Sequence, residues 1–186
     1  MKKIDKARQD LFKLIKINAY KEGKFILSSG KESDYYIDCR KITLTSEGAY
    51  LSALLILDII KDEKIDAVGG PTMGADPIVG AISVLSLLKY NKPLKAFLVR
   101  KLAKSYGLKR QIEGPQLRKG SSVVVIDDVA TTGGSLVETV SCLQKEGIKV
   151  ELVIVLVDRN QGAKESLEKE KCKFLSIFNI EDFKNK

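Results

Sequence analysis

The residues best suited to chemistry lie in one run, VVVIDDVATTGGS at positions 123–135. Its apolar, β-branched start predicts a buried strand, the Thr, Gly and Ser residues predict a loop, and the amphipathic segment that follows predicts a helix ending near Gly147. Backbone N–H groups in such a loop and the positive end of the helix dipole are suited to bind a phosphate. The hydroxyl donors, and the glycines that permit close approach, are Thr131, Thr132, Ser135, Gly133 and Gly134.

Asp127 and Asp128, which come directly before this loop, need a different explanation because carboxylates repel phosphate. They are suited to accept hydrogen bonds from the vicinal hydroxyls of a ribose, or to hold a divalent cation. A purely structural reading also exists, in which both acids end the strand and cap the helix while the glycines form a turn. The unbroken succession of strand, acidic pair and hydroxyl-rich loop favours the binding site.

A second glycine-rich loop, GGPTMGADPIVGA at positions 69–81, follows a predicted strand at 65–68 and leads into a helix that begins around Pro77. Its glycines allow a loop to fold tightly around an anion. An ordinary turn explains this segment equally well when it is taken alone. Next to the motif at 123–135, an anion-binding role is favoured.

Positive charge is concentrated between Arg100 and Lys119, where seven basic residues face one acidic residue in a chain of net charge +8. The polar segment 100–115 predicts a long loop, either a lid or simply a solvated basic loop. Arg159 follows the predicted strand 149–157, so it is placed to meet an anionic ligand or to form a surface ion pair. A basic stretch can also bind nucleic acid, but aromatics make up only 6% of the chain and Trp is absent, so a base-stacking platform is disfavoured.

Composition removes several classes of chemistry. The chain contains no histidine, which excludes Ser-His-Asp and Cys-His pairs and histidine-ligated zinc. Its three cysteines have no C-x-x-C spacing, which argues against a thiolate metal site or a disulfide framework. Apolar runs are shorter than a membrane span and the N-terminus lacks the apolar core of a signal peptide, so we expect a cytoplasmic protein.

The elements that must position these residues alternate between strand and helix from residue 65 onward, which predicts an α/β fold with a central, mainly parallel sheet flanked by helices. Before it come a predicted helix at 4–19, a hairpin of strands at 24–27 and 35–39, and a scaffold helix at 46–61. At 186 residues we expect one domain, with residues 1–45 as helix and hairpin, and 46–186 as the α/β core.

The motif at 123–135 resembles the binding motif of the type I phosphoribosyltransferases. Three further segments resemble one branch of that family, the orotate phosphoribosyltransferases: KFILSSGKESDYYIDCR at 24–40, VRKLAKSYG at 99–107 and QIEG at 111–114. The first corresponds to the hood over the pyrimidine, and the second to the catalytic lid loop. This chain departs from the family pattern at Ser28, where some members have lysine, and at Tyr106, where histidine is usual.

The resemblance implies a role for each site residue. It implies a catalytic role for Arg100, Lys101, Lys104, Asp127 and Asp128. It implies that 5-phosphoribosyl 1-diphosphate (PRPP) is bound by Thr72, Arg100, Lys101, Lys104, Tyr106, Asp127, Asp128, Val129, Ala130, Thr131, Thr132, Gly133, Gly134 and Ser135. It implies that orotate is contacted by Thr131 and Arg159.

The resemblance also implies an activity, the Mg²⁺-dependent transfer of ribose 5-phosphate from PRPP to orotate in pyrimidine synthesis. Mg²⁺ is expected on the substrate and water, without direct side-chain ligands, and the protein is expected to be a homodimer that shares its lid between subunits. We expect no nucleic-acid or membrane partner. Three alternatives stay open: a purine phosphoribosyltransferase, a nucleic-acid-binding regulator with this fold, and an enzyme slowed by Tyr106.

Overall fold

The computed structural model describes residues 3–26, 32–101 and 111–184. Its helices are α1 (Lys3–Asn18), α2 (Arg40–Thr43), α3 (Ser46–Ile60), α4 (Asp76–Tyr90), α5 (Gly134–Lys145), α6 (Ala163–Lys169) and α7 (Glu181–Lys184). Its strands are β1 (Tyr20–Ile26), β2 (Glu32–Ile37), β3 (Ala67–Pro71), β4 (Lys95–Val99), β5 (Ile112–Glu113), β6 (Ser122–Ala130), β7 (Lys149–Asp158) and β8 (Phe174–Asn179).

The main sheet has the strand order β5-β4-β3-β6-β7-β8. Strands β4, β3, β6, β7 and β8 are parallel, and β5 is antiparallel to β4. The predicted α/β architecture with a mainly parallel sheet is therefore confirmed. Parallel strands end at the same edge of a sheet, so the loops that follow β3, β4, β6 and β7 all lie at one edge.

The sheet is covered on both faces, which explains why β6 is apolar at consecutive positions rather than alternating. Val124 and Ile126 pack into the core shared with α1, α3 and α4. Val123 and Val125 pack into a second core shared with α5 and α6. All four side chains are fully buried, and this burial fixes the direction in which the chain leaves β6.

The predicted hairpin is present as the antiparallel pair β1 and β2, in which Tyr20 lies opposite Ile37. Both strands begin earlier than the sequence predicted, and the register shifts between Glu22 and Phe25. The tip at residues 27–31, which includes Ser28, lies outside the described residues. The hairpin is anchored by ring contacts, such as that between Tyr20 and Phe183 of α7, whose centroids are 5.8 Å apart.

Part of the predicted loop 100–115 is not loop, because Ile112 and Glu113 form β5 and pair with Val99 and Leu98. Residues 102–110, with the predicted site residues Lys104 and Tyr106, lie outside the described residues. Helices α2 and α7 could not be predicted from the sequence, because four residues are too few to show a helical period. Among the helices that the structure describes, none has the length and apolar character needed to span a membrane.

Candidate active site

The edge formed by the carboxyl ends of the parallel strands brings together most of the residues singled out from the sequence. Thr72 follows β3, Arg100 follows β4, residues 127–135 close β6 and open α5, and Arg159 follows β7. The backbone N–H of Thr72 donates to Val99 O at 3.2 Å, and that of Arg159 donates to Ala130 O at 2.9 Å. Neighbouring loops are thus joined by main-chain hydrogen bonds, which fixes their relative positions.

The predicted phosphate loop has the expected strand, loop and helix order. Gly133 precedes α5 with φ of +82°, a conformation that L residues rarely adopt. A Cβ atom at this position would also lie 3.0 Å from Ala163 Cα in α6. Ser166 Oγ donates to Thr132 O at 2.9 Å, so α6 supports the loop from behind. The first N–H groups of α5 have no partner within the helix, and they remain available as donors to an anion.

The acidic pair ends β6 in a conformation set by its own backbone. Asp127 Oδ1 accepts from the N–H of Asp128 at 2.9 Å, and Asp128 Oδ1 accepts from the N–H of Val129 at 2.8 Å. Asp127 is buried and Asp128 is half-buried. Gly74, from the loop between β3 and α4, packs so tightly on them that a Cβ would collide with Oδ1 of both carboxylates.

Burial makes this pair electrostatically unfavourable when both members are charged. It raises the pKa of Asp127 well above the usual range, and the neighbouring charge of Asp128 adds to this effect. The pKa of Asp128 is also raised, chiefly by burial, while hydrogen bonds from Val129 and Asp127 and the positive charge of Arg40 oppose the shift. A ligand that donates hydroxyl hydrogen bonds, or a cation, would stabilise the charged form of both carboxylates.

Arg40 is a neighbour that the sequence analysis missed. It lies in α2, and its Nε donates to Asp38 Oδ1 at 2.8 Å. This hydrogen bond, together with the charge of Arg40, lowers the pKa of Asp38, and the same charge also acts on Asp128. No spacing rule links residue 40 to residue 128, since only the tertiary packing of α2, which lies against α1 and α3, brings the two together.

A cavity of about 300 Å³ at the same edge is lined by Thr72, Arg100, Lys101 and Ser135, which belong to three of the predicted segments. The start of the segment that leaves β4 is held in place: the N–H of Arg100 donates to Gln111 O at 2.9 Å. Arg100 Nη1 also lies 3.6 Å from Glu113 Oε1 of β5. Lys101 is exposed, so its ammonium group is accessible to a ligand in this cavity.

Arg159 lies at the end of β7. In the strand order, β6 with its phosphate loop stands between β7 and the strands β3 and β4 that border this cavity. Its main-chain bond to Ala130 places it beside Thr131, the other residue predicted to contact the base. Its Nε donates to the hydroxyl oxygen of Tyr35 at 3.0 Å. Its Nη2 is buried and has no hydrogen-bond partner among the residues that the structure describes.

The arrangement is suited to a ligand with three different chemical parts. Backbone N–H and hydroxyl donors can hold a phosphate, the acidic pair can hold a diol or a hard cation, and Arg159 can bind an anionic group. Over residues 3–26, 32–101 and 111–184, no cluster of three or more acidic or cysteine side chains is arranged to hold a metal ion. The acidic pair does fit Mg²⁺, which commonly takes one or two protein carboxylates, substrate phosphates and several waters.

Comparison with known proteins agrees with this geometry. The phosphoribosyl transferase domain family matches residues 44–185. An orotate phosphoribosyltransferase of Synechocystis sp. is 46% identical over 175 residues, which covers 94% of this chain and 87% of that protein.

Solved structures give the same result. Orotate phosphoribosyltransferase of Mycobacterium tuberculosis H37Rv, in complex with Fe(III) dicitrate, superposes with a TM-score of 0.82 at 37% identity, covering 95% of this chain and 98% of that one. The same protein in complex with PRPP gives a TM-score of 0.79 at 32% identity, covering 96% and 99%. The motifs, the fold and these relatives together show that the chain belongs to the orotate phosphoribosyltransferases of the phosphoribosyl transferase domain family.

Proposed function

We propose that the protein transfers the 5-phosphoribosyl group of PRPP to orotate, forming orotidine 5′-phosphate and diphosphate. The bond between the anomeric carbon and the diphosphate oxygen breaks, and a bond from that carbon to a ring nitrogen of orotate forms. The proton of that ring nitrogen is lost to the departing diphosphate or to water. The ribosyl group passes through an oxocarbenium-like state, so the protein needs no covalent nucleophile. The observation that carries the proposal is the convergence of a phosphate loop, an acidic pair and Arg159 at one sheet edge.

The donor's ribose and 5-phosphate are assigned to the chain around the end of β6. Asp127 and Asp128 accept hydrogen bonds from the ribose hydroxyls, and residues 131–135 hold the 5-phosphate through backbone N–H groups and hydroxyls. Val129 and Ala130 lie between the acidic pair and residues 131–135, and they contribute their main chain to the PRPP site. Burial of the acidic pair strengthens its hydrogen bonds to the ribose, because water competes less for the carboxylates.

The diphosphate is assigned to the cavity next to this loop. Thr72, Arg100 and Lys101 line that cavity, and Lys104 and Tyr106 are proposed to join them from the segment outside the described residues. Negative charge grows on the diphosphate as its bond to the anomeric carbon breaks. Cations fixed at that position stabilise the transition state more than the ground state, which is how they raise turnover.

Orotate is assigned to Thr131 and Arg159. A guanidinium group can bind a carboxylate through two parallel hydrogen bonds, and orotate carries a carboxylate that uracil lacks. The unpaired Nη2 of Arg159 supports this assignment, because a buried donor without a partner is costly unless a ligand satisfies it. Selection for orotate over other pyrimidines would follow from this one charged contact.

Mg²⁺ is proposed as the cofactor, bound with PRPP beside Asp127 and Asp128. When bound, it would neutralise part of the charge on the diphosphate group and so help it leave. The proposed single domain has residues 1–45 as the hood and its supporting helix, and residues 46–186 as the catalytic core. The segment between β4 and β5, residues 100–111, is proposed to act as a lid that excludes water.

A homodimer in the cytoplasm is proposed as the working form, with each lid reaching the neighbouring site. The outer face of α4 supports an interface between copies, since Val84, Leu87 and Leu88 are 57%, 53% and 76% exposed and lie on one side of the helix. Tyr50 of α3 adjoins this face, with its ring centroid 5.9 Å from Lys89 Nζ. Light scattering should report a dimer for the wild-type protein and a monomer for Leu88→Lys, and a monomeric wild-type protein would refute the shared lid.

The function is tested by the fall in orotate absorbance when purified protein is mixed with orotate, PRPP and Mg²⁺. Uracil, adenine and hypoxanthine are run in parallel, and one sample contains a chelator in place of Mg²⁺. Turnover with orotate alone, abolished by the chelator, is the expected result. Turnover with a purine instead would refute orotate as the substrate. Absence of turnover with every base would refute the enzyme hypothesis. Salt-dependent RNA binding would then favour the alternative of a nucleic-acid-binding regulator with this fold.

A further inference from the structure

We propose that Tyr35 is the positioning residue for Arg159, and that it sets how tightly the anionic pyrimidine is bound. This inference rests on the proposed function, because it takes Arg159 as the group that binds the orotate carboxylate. Tyr35 belongs to β2 of the hairpin and is 4% exposed. It therefore has a fixed place in the protein and does not close over a ligand as a surface residue could.

Arg159 contacts both the hydroxyl group and the aromatic ring of Tyr35. Arg159 Nε donates to the Tyr35 hydroxyl oxygen at 3.0 Å, and the guanidinium carbon lies 4.7 Å from the centroid of the Tyr35 ring. The hydrogen bond and the cation–π attraction act on the same guanidinium group. Together they select one orientation of a long side chain that otherwise has many rotamers.

That orientation leaves the other edge of the guanidinium for a ligand. With Nε used by Tyr35, the terminal nitrogens remain as donors, and Nη2 is buried without a partner among the described residues. A guanidinium fixed in this way loses little side-chain entropy when an anion binds. Tyr35 would thus increase affinity for the ligand without contacting it.

Tyr35 is itself held by groups from distant parts of the chain. Lys184 Nζ of α7 lies 4.9 Å from the Tyr35 ring centroid and 3.6 Å from Asp34 Oδ2. The ring of Tyr20 lies 6.0 Å from that of Tyr35, and Gln161 Nε2 donates to the Tyr35 hydroxyl at 3.5 Å. The hairpin and the last helix therefore serve as the support on which Arg159 is oriented.

The decisive variant is Tyr35→Phe, which keeps the buried ring and removes the acceptor oxygen. We expect KM for orotate to rise about ten-fold, in line with the loss of one hydrogen bond to a charged group, while KM for PRPP stays within about two-fold. Tyr20→Phe is the matched control, because it removes the hydroxyl of a second tyrosine in the same aromatic cluster. That hydroxyl donates to Glu22 at 3.2 Å and not to Arg159. The control variant should leave both KM values unchanged.

A double-mutant cycle separates positioning from packing. In an Arg159→Ala background, Tyr35→Phe should have no further effect on KM for orotate, because the group that it positions is absent. Melting temperatures of all variants are measured to confirm folding. Equal effects of Tyr35→Phe and Tyr20→Phe, an unchanged KM for orotate, or a full effect in the Arg159→Ala background would each overturn the inference. An inactive wild-type protein would instead refute the proposed function, so the two failures are distinguishable.

Discussion

The proposed phosphoribosyl half of the site lies in one unbroken stretch, residues 127–135, whereas the proposed base half joins Arg159 to Tyr35, 124 positions earlier in the chain. In the first half, backbone hydrogen bonds such as that from Asp128 N–H to Asp127 Oδ1 set the geometry. In the second half, side chains from separate elements set it. Substitutions should therefore disrupt the two halves in different ways: the first through local strain or charge, and the second through loss of a distant support.

The strongest effect is expected outside these two halves, in the neighbouring cavity assigned to the diphosphate, and it separates catalysis from binding there. Lys101→Ala should lower kcat about 100-fold with little change in KM for PRPP, because the lost cation stabilises the charge that develops on the leaving diphosphate. Steady-state kinetics at saturating orotate measures both constants. Lys145→Ala is the control, since Lys145 lines the same cavity and its removal changes the net charge equally. Unchanged turnover in Lys101→Ala, or equal losses in both variants, would remove this cation from the mechanism.

The next prediction tests whether orotate binding in the base half is energetically independent of PRPP binding. Arg159→Ala should raise KM for orotate about 50-fold and leave KM for PRPP within about two-fold, since this partly buried cation is assigned to the base alone. Arg8→Ala is a matched control, because Arg8 also lies over an aromatic ring, 5.0 Å from the centroid of Phe178 in β8. That variant should lose stability without a change in either KM. A parallel rise in KM for PRPP in Arg159→Ala would show that the two halves are not independent.

The same contrast decides how much could be predicted from the sequence. The strand, loop and helix around residues 123–135 were predicted correctly because every signal is local: a buried apolar run, an acidic pair, and glycines at the helix start. The mainly parallel sheet followed from the alternation of strands and helices. The family resemblance assigned Thr72, Arg100 and Lys101 to one ligand, and the structure shows why they line one cavity: parallel strands end at one edge of the sheet.

Contacts between distant segments could not be predicted in this way. Tyr35 was part of a predicted strand, but nothing in its surroundings indicated that its hydroxyl accepts from Arg159. The packing of Gly74 on the acidic pair and the position of Arg40 near Asp128 were missed for the same reason. Each depends on how elements pack in three dimensions, and one sequence carries no direct signal of that packing. The assigned roles of Lys104 and Tyr106 stay predictions.

A smaller effect tests the local strain in the phosphoribosyl half. Gly133→Ala should lower the free energy of unfolding by about 2 kcal/mol, because the new methyl group meets both a left-handed backbone and the nearby Ala163. Gly120→Ala is the matched control: its φ of +85° is almost the same as the +82° of Gly133, but no described atom lies within 4 Å of the place that a Cβ would take. It should cost only about 1 kcal/mol. Equal costs in urea unfolding would show that α6 does not constrain the loop.

The smallest effect concerns the charge buried in the phosphoribosyl half. Asp127→Asn should raise the free energy of unfolding by about 1 kcal/mol at a pH above the raised pKa of Asp127 and in the absence of substrates, because it removes an anion that burial and Asp128 disfavour. Asp62→Asn, at an exposed carboxyl, should change stability little. Such a gain would indicate that the carboxylate of Asp127 lowers the stability of the folded protein and serves ligand binding instead.

The pH dependence of that gain identifies its cause. The pKa of Asp127 is raised in the folded protein, so the folded state binds a proton more readily than the unfolded chain, and wild-type stability rises as pH falls through the raised pKa. The Asn variant cannot take up this proton. Its advantage should therefore be largest above the raised pKa and should shrink as pH falls through it, in urea unfolding measured across the whole pH range in which the wild-type protein stays folded. If the stability advantage of Asp127→Asn stays constant across this range, the effect is due to packing. The buried charge would then not distinguish the phosphoribosyl half from the base half.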